Sequence, residues 1–135
     1  MNSIVWFRQD LRVGDNPALA HAAALGSVVP LYILEEDAAG RRPMGAASRW
    51  WLHHSLKALS ASIGGLVLLR GDAREVVPSF ARRIGAAGVY WNRRYEASAI
   101  SVDTEVKARL RAMDVDALSF NGGLLREPWE VKTGA

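Results

Sequence analysis

Ile4-Val5-Trp6-Phe7-Arg8-Gln9-Asp10-Leu11-Arg12, followed by Asp15-Asn16-Pro17-Ala18-Leu19, decides how this chain is read. Ser3 to Phe7 is an unbroken run of mostly β-branched and aromatic residues. That composition suits a strand buried on both faces, and so a central strand of a parallel sheet. The character changes within one residue at Arg8, which puts a charged loop at the carboxyl end of that strand, where open α/β sheets bind ligands. Asn16 is a typical helix N-cap and Pro17 a typical first helical residue. Arg8, Asp10 and Arg12 either pair with one another to hold the loop or face a ligand; spacing leaves both readings open.

The alternation continues downstream. Val28–Leu34 predicts a second buried strand ending in Glu35-Glu36-Asp37, and residues 38–47, with Gly40, Pro43 and Gly45, read as a loop. A helix over 48–62 buries Leu52, Leu56, Leu59 and Ile63 at helical spacing and turns Trp50, His53, His54 and Lys57 to its other face. Leu66–Arg70 predicts a third strand, Asp72 and Glu75 have the spacing of a capping box, and Pro78 inside the next helical pattern predicts a kink or restart. Gly85 and Gly88 are expected to end that helix. Val89–Asn92 reads as a short fourth strand, which right-handed crossovers place across the first strand from the second and third. A last helix turns Val102, Val106, Leu110 and Met113 inward, leaving Asp103 with Lys107 and Glu105 with Arg109 as solvent pairs. Ala117–Phe120 completes the set. The expected fold class is α/β: a Rossmann-like, doubly wound sheet of about five parallel strands in the order 3-2-1-4-5, helices on both faces.

With 135 residues, half of them hydrophobic, the chain forms one domain with a real core. It has no cysteine, which excludes a disulfide scaffold, a thiol nucleophile and Cys-rich zinc sites. The formal charge of +3 permits nucleic-acid contact without showing it. No signal-type segment or membrane-length apolar run is present, so a cytoplasmic protein is expected. Periodicity ends after Asn121. Residues 1–121 therefore read as the domain and 122–135 as the start of a linker in a chain that looks cut rather than finished.

The turn after the first strand lacks the Gly-x-Gly-x-x-Gly of dinucleotide binding, and neither a Walker A loop nor a Gly-x-Ser-x-Gly elbow occurs. Adjacent His53 and His54 diverge by about 100° on a helix and do not chelate one metal well. What remains is a crevice at the strand ends lined by Arg8, Asp10, Glu35, Arg49, Arg94 and Glu96, with Tyr32 and Tyr95 as flat walls. Arginine forks and carboxylates suit the carbonyl and amide edges of a planar polar cofactor. A salt-bridge network around a loop-rich sheet edge would carry the same residues.

Val5-Trp6-Phe7-Arg8-Gln9-Asp10-Leu11-Arg12 with Asp15-Asn16-Pro17-Ala18-Leu19 resembles the amino-terminal signature of DNA photolyases and cryptochromes. Tyr90-Trp91-Asn92-Arg93-Arg94-Tyr95-Glu96 resembles that family's fourth-strand segment, and Ser48-Arg49-Trp50-Trp51-Leu52 its second-helix start. The resemblance implies an α/β domain holding a light-harvesting antenna. It also implies a parent enzyme that repairs cyclobutane pyrimidine dimers in damaged DNA by light-driven electron transfer from reduced FAD. FAD and catalysis are then expected in a larger helical domain that packs on this one, and no catalytic residue is expected here. Folate-type members carry an Asn-Glu pair where this chain has Ser98 and Ala99, so the resemblance favours a deazaflavin or other flavin-like antenna over folate. The deazaflavin-type segments match Ile33–Glu35, including Leu34, then Arg49, and Arg94–Ser101, although Arg94 stands where that type carries an acidic residue. The candidate chromophore-binding residues are thus Arg8, Asp10, Tyr32, Leu34, Glu35, Arg49, Arg94, Glu96 and Ser98. The alternatives are a cryptochrome blue-light photoreceptor domain and a stand-alone Rossmann-like nucleotide-binding module, the latter expected to show a glycine-rich phosphate loop.

Overall fold

The structure, a computed structural model, describes residues 2–8, 11, 13–35 and 46–121, with only the backbone at 46 and 48. Strands and helices alternate: β1 Asn2–Phe7, α1 Pro17–Leu25, β2 Ser27–Leu34, α2 Ala46–Ile63, β3 Val67–Arg70, α3 Ala73–Ile84, β4 Gly88–Asn92, α4 Ala97–Ala112 and β5 Asp116–Phe120. The five strands pair in parallel in the order β3-β2-β1-β4-β5, as the crossover argument requires.

Ile4, Val5, Trp6 and Phe7 in β1 are all buried because helices cover both sides of the sheet. Ile4, Trp6, Leu31, Val89 and Trp91 pack with Val77 and Ala81 of α3 and Val106 and Leu110 of α4. Val5, Phe7 and Tyr90 pack with Ala18 and Ala22 of α1 and Leu59 of α2. Chain direction across the sheet reverses between β1 and β4, so this is the switch point of the fold.

α1 starts as its sequence dictates, with the Asn16 side chain accepting a hydrogen bond from the Leu19 amide and Pro17 in the first turn. At α3 the Asp72 carboxylate instead takes the Arg74 amide, one position earlier than a capping box would use. α3 runs through Pro78 without a restart. Proline has no N–H to offer the carbonyl of Arg74, four residues back. That oxygen accepts from Arg109 Nη1 of α4 at 2.9 Å instead. Gly85 ends α3 in the left-handed region at φ 64°, whereas Gly88 does not cap it and opens β4. Gly88 is needed there for space, since a Cβ on it would lie 2.3 Å from the Tyr90 hydroxyl.

Candidate functional site

Two features occupy the carboxyl end of the sheet, one on each face. On the α3/α4 face, Arg8 leaves the end of β1 and Arg94 the end of β4, and both turn over the Trp6 ring, 4.5 and 5.4 Å from its centroid. Arg8 Nη1 lies 2.9 Å from each oxygen of the Asp103 carboxylate, and Arg94 Nη2 donates to Oδ1 at 2.6 Å. Arg94 Nη1 reaches Glu35 at the end of β2, at 3.0 Å. Burial works against the Arg94 charge, yet Asp103, and then Glu35, outweigh it, and the guanidinium is held more firmly protonated than usual. Below the cluster Trp6 meets Trp91 edge-on at 5.5 Å, so charged and aromatic layers stack as one unit.

Asn92 ties this unit to α1. Its backbone carbonyl accepts from Arg8 Nη2, its side-chain oxygen accepts from the Ala18 amide at 3.1 Å, and its side-chain nitrogen donates to Asn16 at 2.7 Å. The start of α1 is therefore fixed by β4 as well as by its own cap.

On the other face, α2 and the ends of β2 and β3 border a half-open cavity of ≈ 480 Å³ lined by Tyr32, Leu34, Arg49, Leu52, Leu56 and Leu69 among others. An adjoining hollow of ≈ 440 Å³ shares His53, Leu56 and Leu68, extending the groove along α2. Five leucines line the first cavity, with the Tyr32 ring, the Arg49 and Arg70 side chains and the His53 imidazole as polar elements. Burial, reinforced by the negative charge of Glu35, raises the Tyr32 phenol above its ordinary range, so it stays protonated. Trp50 and Trp51 stand exposed on the same helix.

The structure thus divides the predicted crevice by sheet face. Arg8, Glu35 and Arg94 come together on one side, the two arginines paired with Asp103 and Glu35 with Arg94, while Tyr32, Leu34 and Arg49 come together on the other. Glu96 is the exposed N-cap residue of α4, and Ser98 is exposed in its first turn; neither lines the α2 cavity. Asp10 lies outside the described residues.

Asp103 corrects the sequence reading. It is no solvent partner of Lys107: it is buried and pairs with two arginines, while Lys107 donates to Ser119. A signal was present, because Ala99, Asp103, Val106 and Leu110 share one buried stripe at spacings typical of a helix seam. Glu105 and Arg109 do form their i,i+4 pair at the surface, at 3.6 Å.

The sequence model of the DNA photolyase family matches residues 3–135. The chain belongs to that family. Its α/β domain is 45% identical to a deoxyribodipyrimidine photo-lyase of Agrobacterium fabrum, over 96% of this chain and 28% of that protein. It is 40% identical to cryptochrome-2 of Arabidopsis thaliana, over 96% of this chain and 22% of that protein. The crystal structure of a bacterial class III photolyase from Agrobacterium tumefaciens superposes with a TM-score of 0.88 at 44% identity, covering 98% of this chain and 28% of that one. This photolyase-family chain therefore spans about a quarter of the length of the relatives it matches. Among the described residues no helix is long and apolar enough to cross a membrane.

Proposed function

We propose that this domain is the light-harvesting half of a DNA photolyase, and that its antenna chromophore lies in the cavity beneath α2. The observation that carries the reading is the cavity itself. Its ≈ 480 Å³ falls in the range of small-molecule sites, and its leucine walls meet one neutral phenol, two arginines, Arg49 and Arg70, and the His53 imidazole. Those groups suit a planar heteroaromatic ring: Leu52 and Leu56 exclude water from its faces, the Tyr32 hydroxyl offers one hydrogen bond, and Arg49 addresses a carbonyl or anionic edge. A bound chromophore would supply absorption of light and transfer of the excitation energy to a flavin elsewhere in the protein.

A deazaflavin or other flavin-like ring is favoured over folate, because Ser98 and Ala99 stand where folate-type members carry their Asn-Glu pair. Repair of cyclobutane pyrimidine dimers in DNA, with FAD in a helical domain packed on this one, is the parent activity on this reading. A cryptochrome photoreceptor would share the domain. The similarity to the Agrobacterium photo-lyase, higher than that to the plant cryptochrome, favours repair.

The test is an absorption titration of the full-length protein with a deazaflavin and with a reduced folate. The deazaflavin should bind with a red-shifted band, and Arg49→Ala should weaken it by about 1–3 kcal/mol, the scale for one charge-assisted hydrogen bond. Unchanged affinity in Arg49→Ala, or preference for folate, would overturn this assignment.

A further inference from the structure

We infer that the antenna of this domain carries an anionic tail, and that the hollow continuing the α2 cavity is where the tail binds. The inference rests on the reading of that cavity as the antenna site and names the chemistry of the ligand it takes. The hollow is half-open, measures ≈ 440 Å³ and is bordered by Leu56, Ala61, Leu66 and Leu68, with His53, Lys57 and Ser60 as its polar groups. It shares His53, Leu56 and Leu68 with the larger cavity, so one ligand can lie across both.

Charge and packing both point to an amphipathic anion. α2 spans 18 residues and holds Arg49, His53, His54 and Lys57 without one aspartate or glutamate. Among the described residues no carboxylate lines either hollow, whereas Arg49, Arg70, His53 and Lys57 do. Glu35, whose charge is felt at Tyr32, holds Arg94 across the sheet. From Arg49 to Lys57 the helix rises about 12 Å, so a ring held beside Arg49 sends a short chain toward the Lys57 ammonium. An ammonium is a compact charge with three donors, and it accepts a phosphate or a carboxylate without a fixed geometry.

The floor of the groove is under-filled. Of the described α2 side chains only Leu59 is buried; Leu52 and Leu56 are half-buried, and Leu68 on the edge strand β3 is 58% exposed. The competing explanation is that His53 and Lys57 are an ordinary solvent face of the helix. It accounts for the charges and leaves the leucines beneath them bare, whereas the methylenes of a charged tail would cover Leu56 and Leu68.

The test is an absorption titration of the full-length protein with a deazaflavin bearing a neutral ribityl chain, the same deazaflavin with a terminal phosphate, and the same with a terminal carboxylate. At low salt at least one charged form should bind about three- to fivefold more tightly than the neutral form, the scale of one exposed ion pair, and the advantage should shrink at high salt. Whichever charged form gains assigns the tail as phosphate, carboxylate or either. Lys57→Gln should bring the ratio of affinities toward about one, while Lys57→Arg keeps it and the surface variant Arg83→Gln leaves it unaltered. If the neutral form binds, is lost in Leu56→Trp, and yet matches both charged forms, the inference is overturned while the antenna reading stands. The same holds if the advantage survives Lys57→Gln. Failure of every form to bind would overturn both, as it would if another part of the parent chain filled the groove.

Discussion

Arg8 and Asp103 stand 95 residues apart in the chain and meet as a buried ion pair over the Trp6 ring, with Arg8 Nη1 2.9 Å from both carboxylate oxygens. One carboxylate also serves Arg94, so the loops after β1 and β4 are locked to α4 by a single side chain. Removing it takes from the buried Arg8 the carboxylate it grips and leaves Arg94 to Glu35. Asp103→Ala should therefore cost about 3–5 kcal/mol. Urea unfolding measures this, and a loss under about 1 kcal/mol would show the cluster to be solvated and replaceable.

A second prediction concerns alkaline pH. The Tyr90 ring is buried and its hydroxyl donates to Asp116 at 2.9 Å; burial first, then that carboxylate, push the phenol up to about 12. An unfolded tyrosine titrates near 10. Between these values the unfolded chain has lost a proton that the fold retains, so stability is complete below about pH 10 and falls as pH rises toward 12. The difference in unfolding free energy between wild type and Tyr90→Phe, followed from pH 8 to 12, should decline across that window. A flat difference would mean the phenol titrates normally.

The same tyrosine makes Gly88 irreplaceable by anything larger. A Cβ at position 88 would sit 2.3 Å from the Tyr90 oxygen and 2.6 Å from Cζ. Gly88→Ala should destabilise by about 1–3 kcal/mol, the cost of overpacking. Tyr90→Leu should absorb much of that loss in the double variant, because the pair shares one space. Strict additivity of the two changes would contradict the steric account.

Most of the fold was legible because each signal was local. The apolar run Ile4–Phe7 marks a strand covered on both sides, Asn16-Pro17 marks a helix start, and strand order follows from crossover handedness once the elements are known. The site was legible only in part. Charges arriving at strand ends locate the carboxyl edge of the sheet, but the pleat sends successive residues to opposite faces, and that parity sorts Arg8 with Glu35 and Tyr32 with Leu34. Asp103 was misplaced because two helical stripes compete in α4: Val102, Val106, Leu110 and Met113 read as the buried one on hydrophobicity, while Ala99, Asp103, Val106 and Leu110 are the residues buried. Helical spacing permits both stripes, and the tertiary pairing of Asp103 with Arg8 and Arg94 decides between them. Pro78 was similarly read as a kink or restart because its effect on Arg74 is local, whereas the compensating donor, Arg109, is distant.

The proposed antenna site is the cavity beneath α2, and not the ion cluster across the sheet. It is tested most directly by filling that cavity in the full-length protein with Leu56→Trp. Light-dependent repair of dimer-containing DNA is then compared at wavelengths absorbed by the antenna and at wavelengths absorbed by flavin alone. The account predicts that the antenna-driven component disappears with the antenna absorption band while flavin-driven repair persists. Antenna-driven repair at the wild-type level in a folded Leu56→Trp variant would contradict it.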